Sequence, residues 1–188
     1  MQTFLPYPDM RLSLRCLDNK RLGKQRVETG QLLRSLGVHL PKVDGTIPNN
    51  RRGWLNHPAR LMWVGYERAL CMYYNLSIDE WVHRGFRNNM PRWYDTHSVE
   101  THASFPFPPW YGLNELHASH RSNLLRKDPI YYGRLGWTEG PDLPYYWPTQ
   151  VYDTRIASHD EAQQDGNNDD SFGGIQDLHW SGEWIHPD

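Results

Sequence analysis

Apolar residues along this chain recur at helical spacing, and strand-like alternation is scarce. Asp9 can cap a short helix running to about Cys16. From Asp18 or Asn19 to Leu36, the positions Leu22, Thr29, Leu33 and Leu36 form one stripe, with Leu32 at its margin and Gly37 supplying a stop. Gly30 inside this helix costs about 1 kcal/mol relative to alanine, which suggests close packing or a close backbone approach there. Pro58 suits a first helical turn, and Ala59, Met62, Trp63, Tyr66, Ala69, Leu70 and Tyr73 keep the spacing of a central core helix. A further helix is expected from Ile78 to about His83. Another runs from Asn114 to Lys127, with Leu116, Ser119, Asn123 and Leu124 to one side and Asp128-Pro129 ending it. Between these lie a turn-rich loop at 38–57, an irregular Pro- and aromatic-rich arm at 84–110, and aromatic coil at 131–147. The pattern predicts an all-α fold: one helical domain over residues 1–156 with long irregular connections, followed by an acidic C-terminal tail at 157–188.

A length of 188 residues suits one substantial core. Neither a signal peptide nor an apolar run of the roughly 20 residues needed to span a bilayer is visible, so a soluble, intracellular protein is expected. Cys16 and Cys71 lack the spacing of a zinc site or a disulfide framework and are expected to be reduced. The net charge of −2 conceals an asymmetry: residues 157–188 hold eight of the 22 acids and no Lys or Arg. The body carries all 20 cations against the remaining 14 acids, about +6. A basic body suits a polyanionic partner, although many unrelated domains share that excess.

On a helical wheel Arg21, Lys24, Gln25, Glu28, Gln31 and Ser35 occupy about one third of the second helix, beside its apolar stripe. Glu28 thus stands among cations. A solvated i, i+4 pair with Lys24 explains that arrangement as simply as a functional carboxylate does. His57 and Arg60 at the start of the central helix, and His117, His120, Arg121, Arg126 and Lys127, are further candidates to meet phosphate. His117 and His120 at i, i+3 admit a metal, but spacing supplies no third ligand, so neither metal nor cofactor is expected. Among 9 Trp, 11 Tyr and 5 Phe, those of the irregular arm, Trp93, Trp110 and Tyr111, are the better candidates for stacking on an unpaired base.

Four stretches together resemble the pyrimidine-dimer DNA glycosylases, the phage endonuclease V type, and above all their uncharacterised bacterial and phage relatives. They are Met1-Gln2-Thr3-Phe4-Leu5-Pro6-Tyr7; the run from Leu17 to Leu33 with Val27-Glu28-Thr29-Gly30-Gln31; Asn56-His57-Pro58; and His120-Arg121-Ser122 leading to Arg126-Lys127-Asp128-Pro129. The resemblance spans about residues 1–148. It implies a helical domain that bends DNA and flips out a nucleotide. It also implies that an N-terminal α-amine attacks the sugar C1′, leaving an imine that can undergo β-elimination, with Glu28 as the assisting glutamate. An α-amine of pKa about 7.7 to 8.0 is roughly 10 to 20 % neutral at pH 7, hundreds of times more than a lysine, so it needs little activation. A carboxylate beside it can stabilise positive charge at the sugar and shuttle protons. Gln2 is too large to favour removal of the initiator, so Met1 itself is expected to carry the nucleophile. The family's arginines beside the glutamate fall here on Val27 and Gln31, leaving Arg21, Lys24, Gln25 or Arg26 to contact DNA.

The expected activity is therefore removal of a damaged or modified pyrimidine from double-stranded DNA, with possible strand cleavage, by a monomer in the cytoplasm of a bacterial or phage-infected cell. A non-catalytic DNA-bending protein and a nucleoside or nucleotide N-glycosidic hydrolase are the alternatives. The acidic tail is either a solvated extension or a segment that folds over the basic face and competes with DNA.

Overall fold

A computed structural model describes residues 2–38, 55–93 and 106–148, all within one unit, Met1–Asp153. Met1, most of the 38–57 loop, residues 94–105 of the arm, the proposed boundary at 156/157 and the acidic tail lie outside the described residues. Those described form helices and connections without strands. The all-α expectation holds.

Local chemistry sets the helix ends. Helix α1, Met10–Arg15, starts where the Asp9 carboxylate accepts from the Leu12 N–H at 2.8 Å. Helix α2, Asn19–Ser35, starts where Asp18 accepts from the Arg21 N–H at 3.0 Å. It closes at Gly37, whose φ of +86° lets its N–H reach the Arg34 carbonyl at 3.1 Å while the Val38 N–H reaches that of Leu33 at 2.9 Å. Leu22, Thr29, Leu32 and Leu33 are fully buried, as the stripe predicts. Gly30 is a contact point: a Cβ there would sit 3.3 Å from the Tyr74 ring.

The expected central helix is two helices, and the separate helix at Ile78 does not exist. Helix α3 covers only Pro58–Leu61; Gly65 at φ +83° then breaks the path, and α4 runs unbroken over Glu67–His83. Periodicity missed the break because Ala59, Met62, Trp63, Ala69, Leu70 and Tyr73 are buried on both sides of it. Helix α4 packs against α2 and α1, and α3 also touches α2. Trp63 meets Trp110 edge to face, with ring centroids 4.8 Å apart.

Helix α5, Asn114–Lys127, has the predicted bounds, and Leu116, Ser119, Asn123 and Leu124 are all buried. The coil after it begins with α6, Pro129–Tyr132, and a 3-10 turn at Gly133–Leu135. Cys16 and Cys71 form no disulfide, and burial pushes Cys16 up to about 12, far from reactivity. No helix among the described residues is long and apolar enough to cross a membrane.

Candidate active site

The site is organised by the extended segment Gln2–Tyr7, which threads between helices instead of lying in a sheet. An extended backbone buried without a strand partner leaves its N–H and C=O groups unpaired unless side chains supply the partners. They do so here residue by residue. The Gln2 carbonyl accepts from Gln25 Nε2 at 2.9 Å, and the Phe4 N–H donates to Gln25 Oε1 at 2.9 Å. The Phe4 carbonyl accepts from the Tyr73 hydroxyl at 2.9 Å. The Leu5 N–H donates to His120 Nδ1 at 2.9 Å, and the Leu5 carbonyl lies 2.7 Å from His117 Nδ1. Arg121 donates to the Pro6 carbonyl at 2.7 Å, and the Ser13 hydroxyl serves both backbone groups of Tyr7 at 3.0 and 2.9 Å. Trp63 Nε1 holds the Thr3 hydroxyl at 3.0 Å. Helices α1, α2, α4 and α5 all contribute, so the segment's path is fixed by the packed core.

At its leading end the segment meets Glu28. The Gln2 N–H donates to Glu28 Oε2 at 3.3 Å. Glu28 is half-buried and also lines an open groove of about 440 Å3 with Lys20, Lys24, Gln31 and Trp81. Lys127 senses the charge around it: desolvation and then the nearby cations Arg21, Arg126 and Lys24 hold its ammonium below the usual lysine value, while Glu28 pulls the other way. Burial raises the Tyr145 phenol, and the cations Arg126 and Arg21 oppose Glu28 in acting on it. Four rings from three segments adjoin: Tyr145 lies 5.5 Å from Trp147, Trp147 meets His57 edge to face at 6.0 Å, and Tyr145 meets His120 at 6.2 Å.

A carboxylate beside the chain start, on a helix lined with cations, fits excision chemistry. The family model for pyrimidine dimer DNA glycosylase matches residues 1–94, half of the chain, which includes the whole of the threaded segment and Glu28. The chain belongs to the pyrimidine dimer DNA glycosylase family. No curated protein and no solved structure matches it. As a pyrimidine dimer DNA glycosylase it acts on DNA, and the remaining residues can be sorted by what they do toward that substrate.

Arg21, Arg126, Lys24 and Glu28 all act electrostatically on Lys127. Lys24, Arg126 and Lys127 are exposed, whereas Arg21 pairs with Asp18 at 2.5 Å and lies over the Tyr132 ring at 5.3 Å. Arg126 donates to the Asn123 side chain. Six other expected DNA contacts serve the fold. Gln25 is buried, with Oε1 also accepting from Tyr73 at 2.8 Å. Arg26 is buried against the Trp81 face, 4.0 Å from its centroid, and donates to Asn88 Oδ1 at 3.1 Å. His120 is fully buried on Leu5. Arg121 is drawn inward by Glu139 at 2.6 Å and by Pro6. His57 Nδ1 caps α3 by accepting from the Ala59 N–H at 3.1 Å, and Arg60 spans to the Ser35 and Leu55 carbonyls at 3.2 and 3.1 Å. In each case but that of Arg26, the threaded segment, a helix end or a loop carbonyl needs a partner that the wheel alone does not reveal.

Among the aromatics, Trp110 is not a base platform. It is buried, with Nε1 donating to the Met62 carbonyl at 2.9 Å. Trp93 is half-buried and holds Asn75 through both backbone groups at 3.0 and 2.7 Å. Tyr111 packs on Phe107. Tyr145, whose phenol feels the Glu28 charge, belongs to coil without periodicity, and Gln2 and Tyr73 read as lead and core; only the fold brings them together. Among the described residues no three His, Cys, Asp or Glu gather as a metal site.

Proposed function

We propose that this glycosylase excises a damaged or modified pyrimidine from double-stranded DNA, with the α-amine of Met1 as nucleophile and Glu28 as the carboxylate that serves it. The 3.3 Å hydrogen bond from the Gln2 N–H to Glu28 carries this reading. Backbone bond lengths keep an α-amine within about 4 Å of the next residue's nitrogen, which bounds the separation of a free Met1 amine from Glu28 Oε2 at about 7 Å. The lone pair on that amine bonds to C1′ as the glycosidic C1′–N bond breaks and its electron pair leaves with the base, which takes up a proton. Loss of a proton from the new amine and opening of the C1′–O4′ bond gives an imine. Removal of a C2′ proton then expels the 3′ phosphate and nicks the strand. Glu28 stabilises positive charge at the sugar and accepts and returns these protons. Arg21, Lys24, Arg126 and Lys127 meet the phosphates on either side of the lesion.

The test is borohydride trapping on a duplex with an abasic site and on irradiated duplex. The wild-type chain is expected to form a covalent adduct, and acetylation of the Met1 amine is expected to abolish it. Glu28→Gln is expected to slow excision about 10²- to 10⁴-fold while DNA affinity changes only a few-fold. An adduct that survives the terminal block, or full excision by Glu28→Gln, refutes the assignment. Tight reversible binding without any adduct identifies a DNA-bending protein instead.

A further inference from the structure

We infer that His117 and His120 are positioning residues for the amine chemistry proposed above, on which this inference rests: together they grip both backbone groups of Leu5 and thereby fix where the Gln2 backbone stands relative to Glu28. The two rings face Leu5 from one side of α5, at i, i+3, with their Nδ1 atoms 2.7 Å from its carbonyl and 2.9 Å from its N–H. A carbonyl only accepts, so His117 carries its proton on Nδ1. An N–H only donates, so His120 carries a lone pair on Nδ1 and its proton on Nε2. The pair therefore works as two neutral imidazoles of opposite tautomer, one donor and one acceptor, reproducing what a neighbouring strand would give Leu5.

Stability alone does not account for this pair. Both Nε2 atoms are buried and make no hydrogen bond among the described residues, so each ring brings an unsatisfied polar atom into the core. Each ring's one hydrogen-bonded nitrogen is spent on Leu5. Three residues of extended chain connect Leu5 to Gln2, about 10 Å at about 3.3 Å per residue. Gln25 holds residues 2 and 4 of that stretch, and Tyr73 holds residue 4 again. A chain held straight at each of these points has no slack, so a displacement at Leu5 reaches the Gln2 N–H and its contact with Glu28.

The experiment compares leucine and asparagine at each position. Leucine fills the space and removes the hydrogen bond. Asparagine presents an amide N–H or a carbonyl oxygen near the place of Nδ1, as His117 and His120 respectively require. The readout is the single-turnover rate of borohydride-trapped adduct on abasic duplex at saturating enzyme, measured beside duplex affinity and the trappable fraction. His117→Leu and His120→Leu are expected to slow trapping about 10- to 100-fold with affinity within about twofold, because small misplacements of reacting groups cost rates of that order. His117→Asn and His120→Asn are expected to recover most of the rate. A purely structural role would lower the trappable fraction and leave the rate of the folded remainder unchanged, and that outcome overturns the inference, as does asparagine as slow as leucine. Should the leucine variants not fold, hydrogen exchange of the wild-type Leu5 amide decides: protection like that of the α2 interior is expected, and exchange at loop rates refutes the grip. A wild-type chain that traps no abasic DNA refutes the amine chemistry itself and the inference with it.

Discussion

Lys127 stands where the electrostatics of the site are concentrated. It is exposed, yet partial desolvation and then the charges of Arg21, Arg126 and Lys24 depress its affinity for a proton. Like charges held this close repel in the free protein, and the repulsion is relieved when phosphate arrives and condensed counterions leave the DNA. Lys127→Ala is therefore expected to weaken damaged and undamaged duplex by similar factors and to reduce the slope of log Kd against log salt by about one. Fluorescence anisotropy across a salt series measures this, and an unchanged slope would remove Lys127 from the interface. Arg21, Lys24 and Glu28 share one wheel face of α2 and Arg126 and Lys127 close α5, so spacing alone predicts neighbours within each group. Gln25 shares that face and was misread, because a wheel gives the direction of a side chain but not what lies opposite it. The backbone of Gln2 and Phe4 lies opposite Gln25.

At the scale of elements, one arginine joins three helices. Arg84, just past the end of α4, donates to the carbonyls of Leu14, Arg15 and Leu17 at 3.2, 2.9 and 2.7 Å and to Asn19 Oδ1 at 3.0 Å, while Glu80 holds its Nε at 2.7 Å. It thereby satisfies carbonyls left open at the end of α1 and fixes the corner from which α2, with Glu28, sets out. A lysine keeps the charge but cannot reach so many acceptors from one nitrogen. Arg84→Lys is expected to destabilise the fold by about 2 kcal/mol, and Arg84→Ala by more, in urea titrations. A midpoint unchanged by either substitution would show that water serves those carbonyls equally well. Helix ends with local capping, such as Asp9, Asp18 and Gly37, were readable from the chain. The break at Gly65 was not, since a left-handed glycine interrupts the backbone without interrupting the apolar spacing around it.

At the scale of the whole molecule, burying neutral imidazoles ties stability to pH. Burial, then the neighbouring His117, pushes His120 down to about 3, with the Leu5 bond working against both, and burial lowers His117 as well. The unfolded chain takes up the proton near the ordinary histidine value of about 6.5, before the folded chain can. The stabilisation tied to the neutral rings is thus complete above about pH 6.5 and is lost as pH falls from there, for His120 down toward 3, at up to about 1.4 kcal/mol per pH unit for a ring. Urea midpoints at pH 7, 5 and 4 are expected to fall more steeply for the wild type than for His120→Asn, which has no ring to protonate. Equal slopes would mean that the buried ring does not govern acid unfolding.

The sequence by itself determined the helical class, most helix boundaries and the membership of the glycosylase family. Each of these rests on residues close together in the chain or on a contiguous motif. Only the tertiary structure decided that Gln25, Tyr73, His117, His120 and Arg121 turn inward to hold the first residues of the chain. An extended segment without a strand partner must find its hydrogen bonds wherever the folded core places them, and spacing along the sequence carries no record of that choice.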